Sequence, residues 1–194
     1  MNQAAAEAPY NWVNSLRQAI KKNRREAHNR YVQIATVGSN GQPAVRTLVC
    51  RQFDHQQHRL LMVTDQRSQK TEHIRTNPAA EACWYFTRTR EQFRLAGTLR
   101  LIHAEHHAAQ SRLELWATLS DSARAQFHWL SPGEPVSDER HEWESVCLDK
   151  PPPNFCALIL QIEAVDHLRL QKPQQRWQSQ RGVEGDWVYQ EVNP

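Results

Sequence analysis

The sequence predicts a mainly β protein of the α+β class: a small antiparallel barrel of six or seven strands with helices on its periphery. Three observations predict it. Apolar residues alternate with a period of two in RYVQIATV, AVRTLVCRQF and EQFRLAGTLRLIH. Helical spacing is confined to the N-terminus and to long connections between such runs. Nowhere does the chain repeat the strand–helix–strand alternation that builds a parallel sheet. With 194 residues, 39% of them hydrophobic, it has material for one core and reads as a single domain, 1–194.

Taken in order, Trp12, Val13, Leu16, Ala19 and Ile20 recur at helical spacing, and KKNRRE supplies the positive charge that a helix C-terminus favours, so 10–27 is an amphipathic helix. RYVQIATV and AVRTLVCRQF form a hairpin about GSNGQP, with Asn40-Gly41 as the turn signal. HRLLMVT continues the sheet. Residues 68–76 form a short helix closed by Asn77-Pro78, and AEACWYF and EQFRLAGTLRLIH are a strand pair joined by TRTR. A helical insertion spans about 105–149, with Asp121 and Ser122 offering a cap inside it and a short helix at 138–149. The three prolines 151–153 end it, and strands return over 154–191.

Composition narrows the function. A formal charge of +3 from 24 basic and 21 acidic residues is too mild to indicate nucleic acid. Four cysteines without a C-x-x-C pair favour neither structural zinc nor a disulfide scaffold, and their default is reduced thiols in a cytoplasm. The N-terminus lacks a leader pattern and no window has the ~20 apolar residues of a membrane span. His103 and His107 lie four apart, but not in the H-E-x-x-H order, and no metal site is assigned. Cys50 and Cys83, inside apolar strands, read as inert thiols. The seven tryptophans are scattered without basic–aromatic alternation, which favours packing over base stacking.

Met62 to Pro78, MVTDQRSQKTEHIRTNP, carries an apolar strand end, then Arg67, Ser68 and Lys70, then helical spacing. Helix N-termini hold phosphates because their N–H groups are free and the dipole is positive there. The segment has no glycine, so neither a P-loop nor a dinucleotide fingerprint fits, and side-chain cations and a hydroxyl must do the gripping. The alternative is an ordinary surface helix capped by Ser68. In RTLVCR, alternation sends Arg46, Leu48 and Cys50 to one face and Thr47, Val49 and Arg51 to the other. In REQFRLAG, Gln92 and Arg94 share a face, and Gly97 lets something approach the backbone.

Together RTLVCR, VTDQRSQK, NPAAEACWYF, REQFRLAG and DWVYQEVNP, in this order and spacing, resemble the pyridoxamine 5′-phosphate oxidase-like FMN-binding split barrels, and most closely a branch carrying T-D-x-R-S-x-K and R-E-Q-F-R-x-x-G. The resemblance covers 10–194. It implies that the anion is the 5′-phosphate of FMN and that a homodimer builds two flavin sites from both chains. By position it implies that Arg46, Thr47, Leu48, Val49 and Arg51 line the flavin, that Val63 and Thr64 stand beside the ring, that Ser68 and Lys70 hold the phosphate and that Gln92 bonds the flavin. The family's phosphate arginine is replaced here by Gln69, with Arg67 as the nearest substitute. Where the oxidase has a flavin-stacking Trp this chain has Leu168 or Leu170, and the substrate motif R-L-H-x-R is missing, although Arg176 aligns with its last, flavin-contacting arginine. The resemblance therefore implies an FMN-dependent oxidoreductase with an altered substrate site, an unidentified small-molecule substrate and NAD(P)H as a candidate donor. Its alternatives are a flavin carrier or sensor, a genuine pyridoxamine-phosphate oxidase and, outside the resemblance, a single-strand-binding barrel.

Overall fold

The computed structural model describes residues 10–106, 108–135 and 147–194. Helix α1 (Trp12–Asn23) is capped by Asn11, whose Oδ1 accepts from the Asn14 N–H at 3.0 Å, and it buries Trp12, Leu16 and Ala19. It is shorter than the expected 10–27, and a 3-10 turn (Ala27–Arg30) leads into the sheet. The expected hairpin follows as β1 (Tyr31–Val37) and β2 (Pro43–Val49), with Gly41 at φ 77° in the turn, a left-handed conformation that glycine adopts without a Cβ clash. Then come β3 (Gln52–Asp54), β4 (Arg59–Asp65), α2 (Gln69–Thr76), β5 (Ala79–Phe86) and β6 (Glu91–Ile102). Helices α3 (Ala109–Ala117) and α4 (Asp121–Ala125) lie between β6 and β7 (Phe155–Arg169), after which β8 (Gln175–Arg181) and β9 (Trp187–Val192) complete the described chain. The helix expected at 138–149 falls largely on 136–146, outside the described residues.

Seven strands run in the order β2-β1-β5-β6-β7-β4-β3, all antiparallel, with β8 and β9 added beside β7. β2 and β3 stand at opposite ends of that order yet only Cys50 and Arg51 separate them in sequence, so the sheet must roll onto itself. The Arg51 N–H donates to the Leu61 carbonyl at 2.8 Å, extending the β3–β4 pairing up to the corner. AVRTLVCRQF, expected as one strand, is broken at that corner. The barrel divides along β7, whose first half (155–161) pairs with β4 and whose second half (164–169) pairs with β8.

β6 and β7 change register at Ala96/Gly97, and a Cβ on Gly97 would lie 1.9 Å from the Gln161 carbonyl oxygen. The partner that this glycine admits is thus the β7 backbone rather than a ligand. Val32, Ile34, Leu60, Met62, Phe86, Phe93 and Leu95 fill the barrel. A second cluster, including Ile102, Leu115, Trp116 and Phe155, fastens the helical insertion to β6 and β7. There the Arg112 guanidinium lies over the Phe155 ring, and its Nε donates to the Phe155 carbonyl at 2.7 Å. The cap of α4 is Ser120, whose Oγ accepts from the Ala123 N–H, one and two residues before the expected Asp121 and Ser122. Trp12, Trp84 and Trp116 are core residues, and Trp143 lies outside the described residues.

Candidate functional site

At the rim of the barrel β4 ends and α2 begins. The N-cap of α2 is Ser68, but its hydroxyl does not cap the helix: it donates back to the Asp65 carbonyl at 2.7 Å and accepts from Lys70 Nζ at 2.8 Å. Lys70 also donates to Thr64 Oγ1 at 3.2 Å. Across the rim, Arg46 Nη1 donates to the Ile34 carbonyl at 3.1 Å and to Thr36 Oγ1 at 2.8 Å, and Thr36 Oγ1 is 3.0 Å from His73 Nδ1. No carboxylate is hydrogen-bonded to Arg46 or Lys70 among the described residues. Burial, and after it the charge of Arg46, holds the Lys70 ammonium below its ordinary range, and burial lowers Arg46. Two half-buried cations that repel one another, beside a helix N-terminus and two hydroxyls, form a site for a polyanion.

Arg67 is placed differently. Its guanidinium grips Asp65, with Nη2 2.6 Å and Nε 3.0 Å from the carboxylate, and Nη2 reaches the Trp129 carbonyl at 3.1 Å. Asn154 Nδ2 donates to the same carboxylate at 2.7 Å and to the Phe127 carbonyl at 2.8 Å. Burial works against Asp65 ionising, but the Arg67 and Asn154 bonds outweigh it and hold its carboxyl below the usual range. Arg67 therefore braces the loop, and Arg46 is the second cation of the cluster.

The other expected site residues separate by face. Arg46 and Leu48 point into the barrel, Leu48 against the core, whereas Thr47 and Val49 stand on the outer face of β2. On β4, Thr64 joins the cluster while Val63 packs against the helical insertion. Gln92 and Arg94 lie on the outer face of β6, where Gln92 is in register with Leu168, and Leu168 with Arg176. Arg176 is held by Asp166 (2.7 Å) and Arg94 by Glu81 (2.6 Å). These pairs line an outer cleft of about 750 Å³ over β5 to β9, together with Gln178, Gln190 and Tyr189. Arg51, past the end of β2, turns toward α1.

Thr36 and His73 joined the cluster unforeseen. The signal for Thr36 was present, since the alternation that buries Val32 and Ile34 also buries this hydroxyl. His103 Nδ1 is 3.1 Å from both Gln66 Oε1 and Cys156 Sγ, and burial pushes that thiol up to about 11, so it is no nucleophile. His107 lies outside the described residues.

Residues 9–103 match the model of the pyridoxamine 5′-phosphate oxidase FMN-binding domain. Over 192 residues the chain is 36% identical to pyridoxine/pyridoxamine 5′-phosphate oxidase 2 of Arabidopsis thaliana, covering 94% of this chain and 96% of the plant protein. A pyridoxamine 5′-phosphate oxidase-related, FMN-binding protein of Nostoc punctiforme is similar throughout, with a TM-score of 0.89 and 42% identity over 96% of this chain and all of its own. PhzG of Burkholderia lata, solved with tetrahydrophenazine-1-carboxylic acid, shares the fold at 17% identity, with a TM-score of 0.80 over 100% of this chain and 98% of its own.

Proposed function

Because the chain belongs to the pyridoxamine 5′-phosphate oxidase FMN-binding family and has a flavin as its cofactor, we propose that it is an FMN-dependent oxidoreductase whose substrate site departs from that of the phosphate-vitamer oxidases. The observation that carries the cofactor assignment to particular residues is the rim cluster, in which Arg46, Lys70, Ser68 and Thr64 offer two cations and two hydroxyls. These would hold the 5′-phosphate, with the first N–H groups of α2. Bound FMN supplies a ring that accepts and returns hydride. The β2 strand and the Gln92 amide would orient that ring, and Arg176, fixed by Asp166, presents a cation of defined position.

Gln92, Arg176, Thr47 and Val49 share the outer face, whereas the phosphate cluster is at the inner rim, so one chain does not bring both sets onto a single flavin. A second copy does so if its outer face covers the first copy's rim, and this supports a homodimer with two shared sites. The same face exposes Val45 (69%), Tyr31 (44%) and Tyr85 (40%), the apolar surface that an interface covers. Sedimentation should find a dimer, and FMN should raise its melting temperature by mass action. A monomer that retains one FMN per chain would overturn the shared site.

The outer cleft supports this substrate reading. Each of its arginines already has a carboxylate partner, and Gln178 and Gln190 are neutral, so a dianionic phosphate entering there would lose hydration without a free cation to replace it. Turnover of pyridoxamine or pyridoxine phosphate should therefore be absent or very weak. The full-length match to the Arabidopsis oxidase favours the opposite reading, and robust hydrogen peroxide release at micromolar vitamer would establish it. Anaerobic titration of the flavin spectrum tests the proposal itself. Bleaching by NAD(P)H or another donor supports an oxidoreductase, and a flavin inert to every donor marks a carrier.

Alkaline titration should release the flavin early. Lys70 lies below the ordinary lysine value of 10.5, so the flavin-free protein loses this cation before pH 10.5 and phosphate affinity falls with it. Stability of the flavin-free protein has the opposite sign: between the lowered folded pKa and 10.5 the unfolded chain binds more protons, so this group makes folding more favourable as pH rises. FMN fluorescence against pH, beside a Lys70→Gln control in which the early release is absent, checks the first statement, and the melting temperature of the flavin-free protein against pH checks the second.

A further inference from the structure

Arg46 is tied to the sheet by one corner of its guanidinium. Nη1 carries two hydrogens, and both are taken, one by the Ile34 carbonyl at 3.1 Å and one by Thr36 Oγ1 at 2.8 Å. Nε and Nη2 make no hydrogen bond among the described residues, and neither is shut away from solvent. They form the forked edge of the group, the same edge with which Arg67 grips Asp65 and Arg176 grips Asp166. Two parallel N–H bonds from such an edge match two oxygens of a phosphate. On Lys70, Nζ gives two of its three hydrogens to Thr64 and Ser68, so a single N–H is left over. The rim's hold on a phosphate thus depends strongly on where the free edge of Arg46 points.

Thr36 sets that direction. It is 2% exposed, on the inward face of β1. Its oxygen accepts from Arg46, and its own proton has His73 Nδ1 as a partner at 3.0 Å. The hydrogen accounting then fixes the imidazole, with Nδ1 bare and accepting and the proton on Nε2. The opposite tautomer would put two donors on the Thr36 oxygen and leave the buried hydroxyl proton without an acceptor. His73 is itself 7% exposed and stands on α2, its Nε2 edge beside Gly38, where an added Cβ would lie 3.4 Å away. The Thr36–His73 bond therefore joins the helix that carries Lys70 to the strand pair that carries Arg46.

We infer that Thr36 and His73 are positioning residues for the cofactor: the buried relay from His73 through Thr36 to Arg46 aims the free guanidinium edge at the phosphate. Neither residue need touch the flavin. The inference rests on the placement of the FMN phosphate at this rim. Two buried side chains that only held α2 against β1 would matter equally to every flavin, phosphorylated or not.

The readout is the ratio of FMN to riboflavin affinity, measured by fluorescence quenching on the flavin-free full chain. Damage to the fold weakens both flavins, whereas a misaimed Arg46 weakens FMN alone. Thr36→Val, which keeps the shape and removes the hydroxyl, should lower the ratio about tenfold, and Thr36→Ser should restore it. His73→Asn, which keeps an acceptor at the Nδ1 position, should stay within about twofold of the parent, whereas His73→Leu should fall with Thr36→Val. Nitrogen-15 spectra of the His73 ring should show a bare Nδ1 and a protonated Nε2, a measurement that stands even if Thr36→Val does not fold. Lys70→Gln keeps the two readings apart. If it lowers the ratio and Thr36→Val does not, the relay is wrong and the phosphate assignment stands. If neither lowers it, the phosphate lies elsewhere and both fall. A proton on Nδ1, or parallel losses of FMN and riboflavin in Thr36→Val, would likewise overturn the inference.

Discussion

Lys70→Gln should lower FMN affinity roughly 30- to 150-fold, the equivalent of about 2–3 kcal/mol for a charge-assisted hydrogen bond lost from a half-buried site. Riboflavin, which has no phosphate, should bind the variant and the parent alike. Glutamine keeps a donor near Ser68 and Thr64 but removes the charge that Arg46 repels. The flavin-free variant should consequently melt at or above the parent's temperature, a sign opposite to that of a residue needed for folding. Fluorescence quenching with both flavins and one melting curve decide the matter. Equal loss of riboflavin and FMN would mean that Lys70 supports the fold rather than the phosphate.

Gly97→Ala should be the most damaging single methyl in the barrel. The new carbon would lie 1.9 Å from the Gln161 carbonyl oxygen, and that oxygen belongs to the backbone of β7, paired with strands on both sides. No side chain can swing away to make room. Overpacking of this kind costs about 3 kcal/mol or more, and at about 2–4 °C per kcal/mol for a chain of this size the melting temperature should fall by about 6–12 °C. A shift under about 2 °C would show that β6 and β7 can slide apart at the bulge.

How much of this was legible follows from which forces act locally. The β1–β2 hairpin, α2 and the β5–β6 pair could be read because turn residues, caps and a period of two act within a few positions, and Asn40-Gly41 and Asn77-Pro78 mark their ends. The break in AVRTLVCRQF could not be read, since nothing in Cys50-Arg51 resembles a turn; the corner is imposed by closure of the sheet, a long-range demand. For the same reason Gly97 pointed to a close approach without saying to what. At the rim, Ser68 and Lys70 were visible as a cluster because they are neighbours in sequence. Arg46 is legible on β2, but its bonds to Thr36 and the Ile34 carbonyl, and the nearness that lets its charge act on Lys70, are products of pairing and rolling. Arg67 shows the converse case: adjacency suggested a phosphate ligand, while the structure gives its charge to Asp65.

The hub at Asp65 also bears on how the cofactor is captured. Arg67 and Asn154 tie the Asp65 loop to carbonyls of Trp129 and Phe127, contacts made within the chain and without help from a flavin. The conformational entropy of that segment is lost during folding and not again on binding. On the proposed assignment of the FMN phosphate to this rim, intrinsic affinity is raised accordingly, and entry is expected to be an encounter with a finished rim instead of a closure around the guest. The same tie makes the helical insertion a remote determinant of cofactor retention. Shortening the segment near Phe127 and Trp129 removes the anchors of a loop some sixty residues earlier in the chain, and on the proposed assignment should loosen the grip on FMN from a distance.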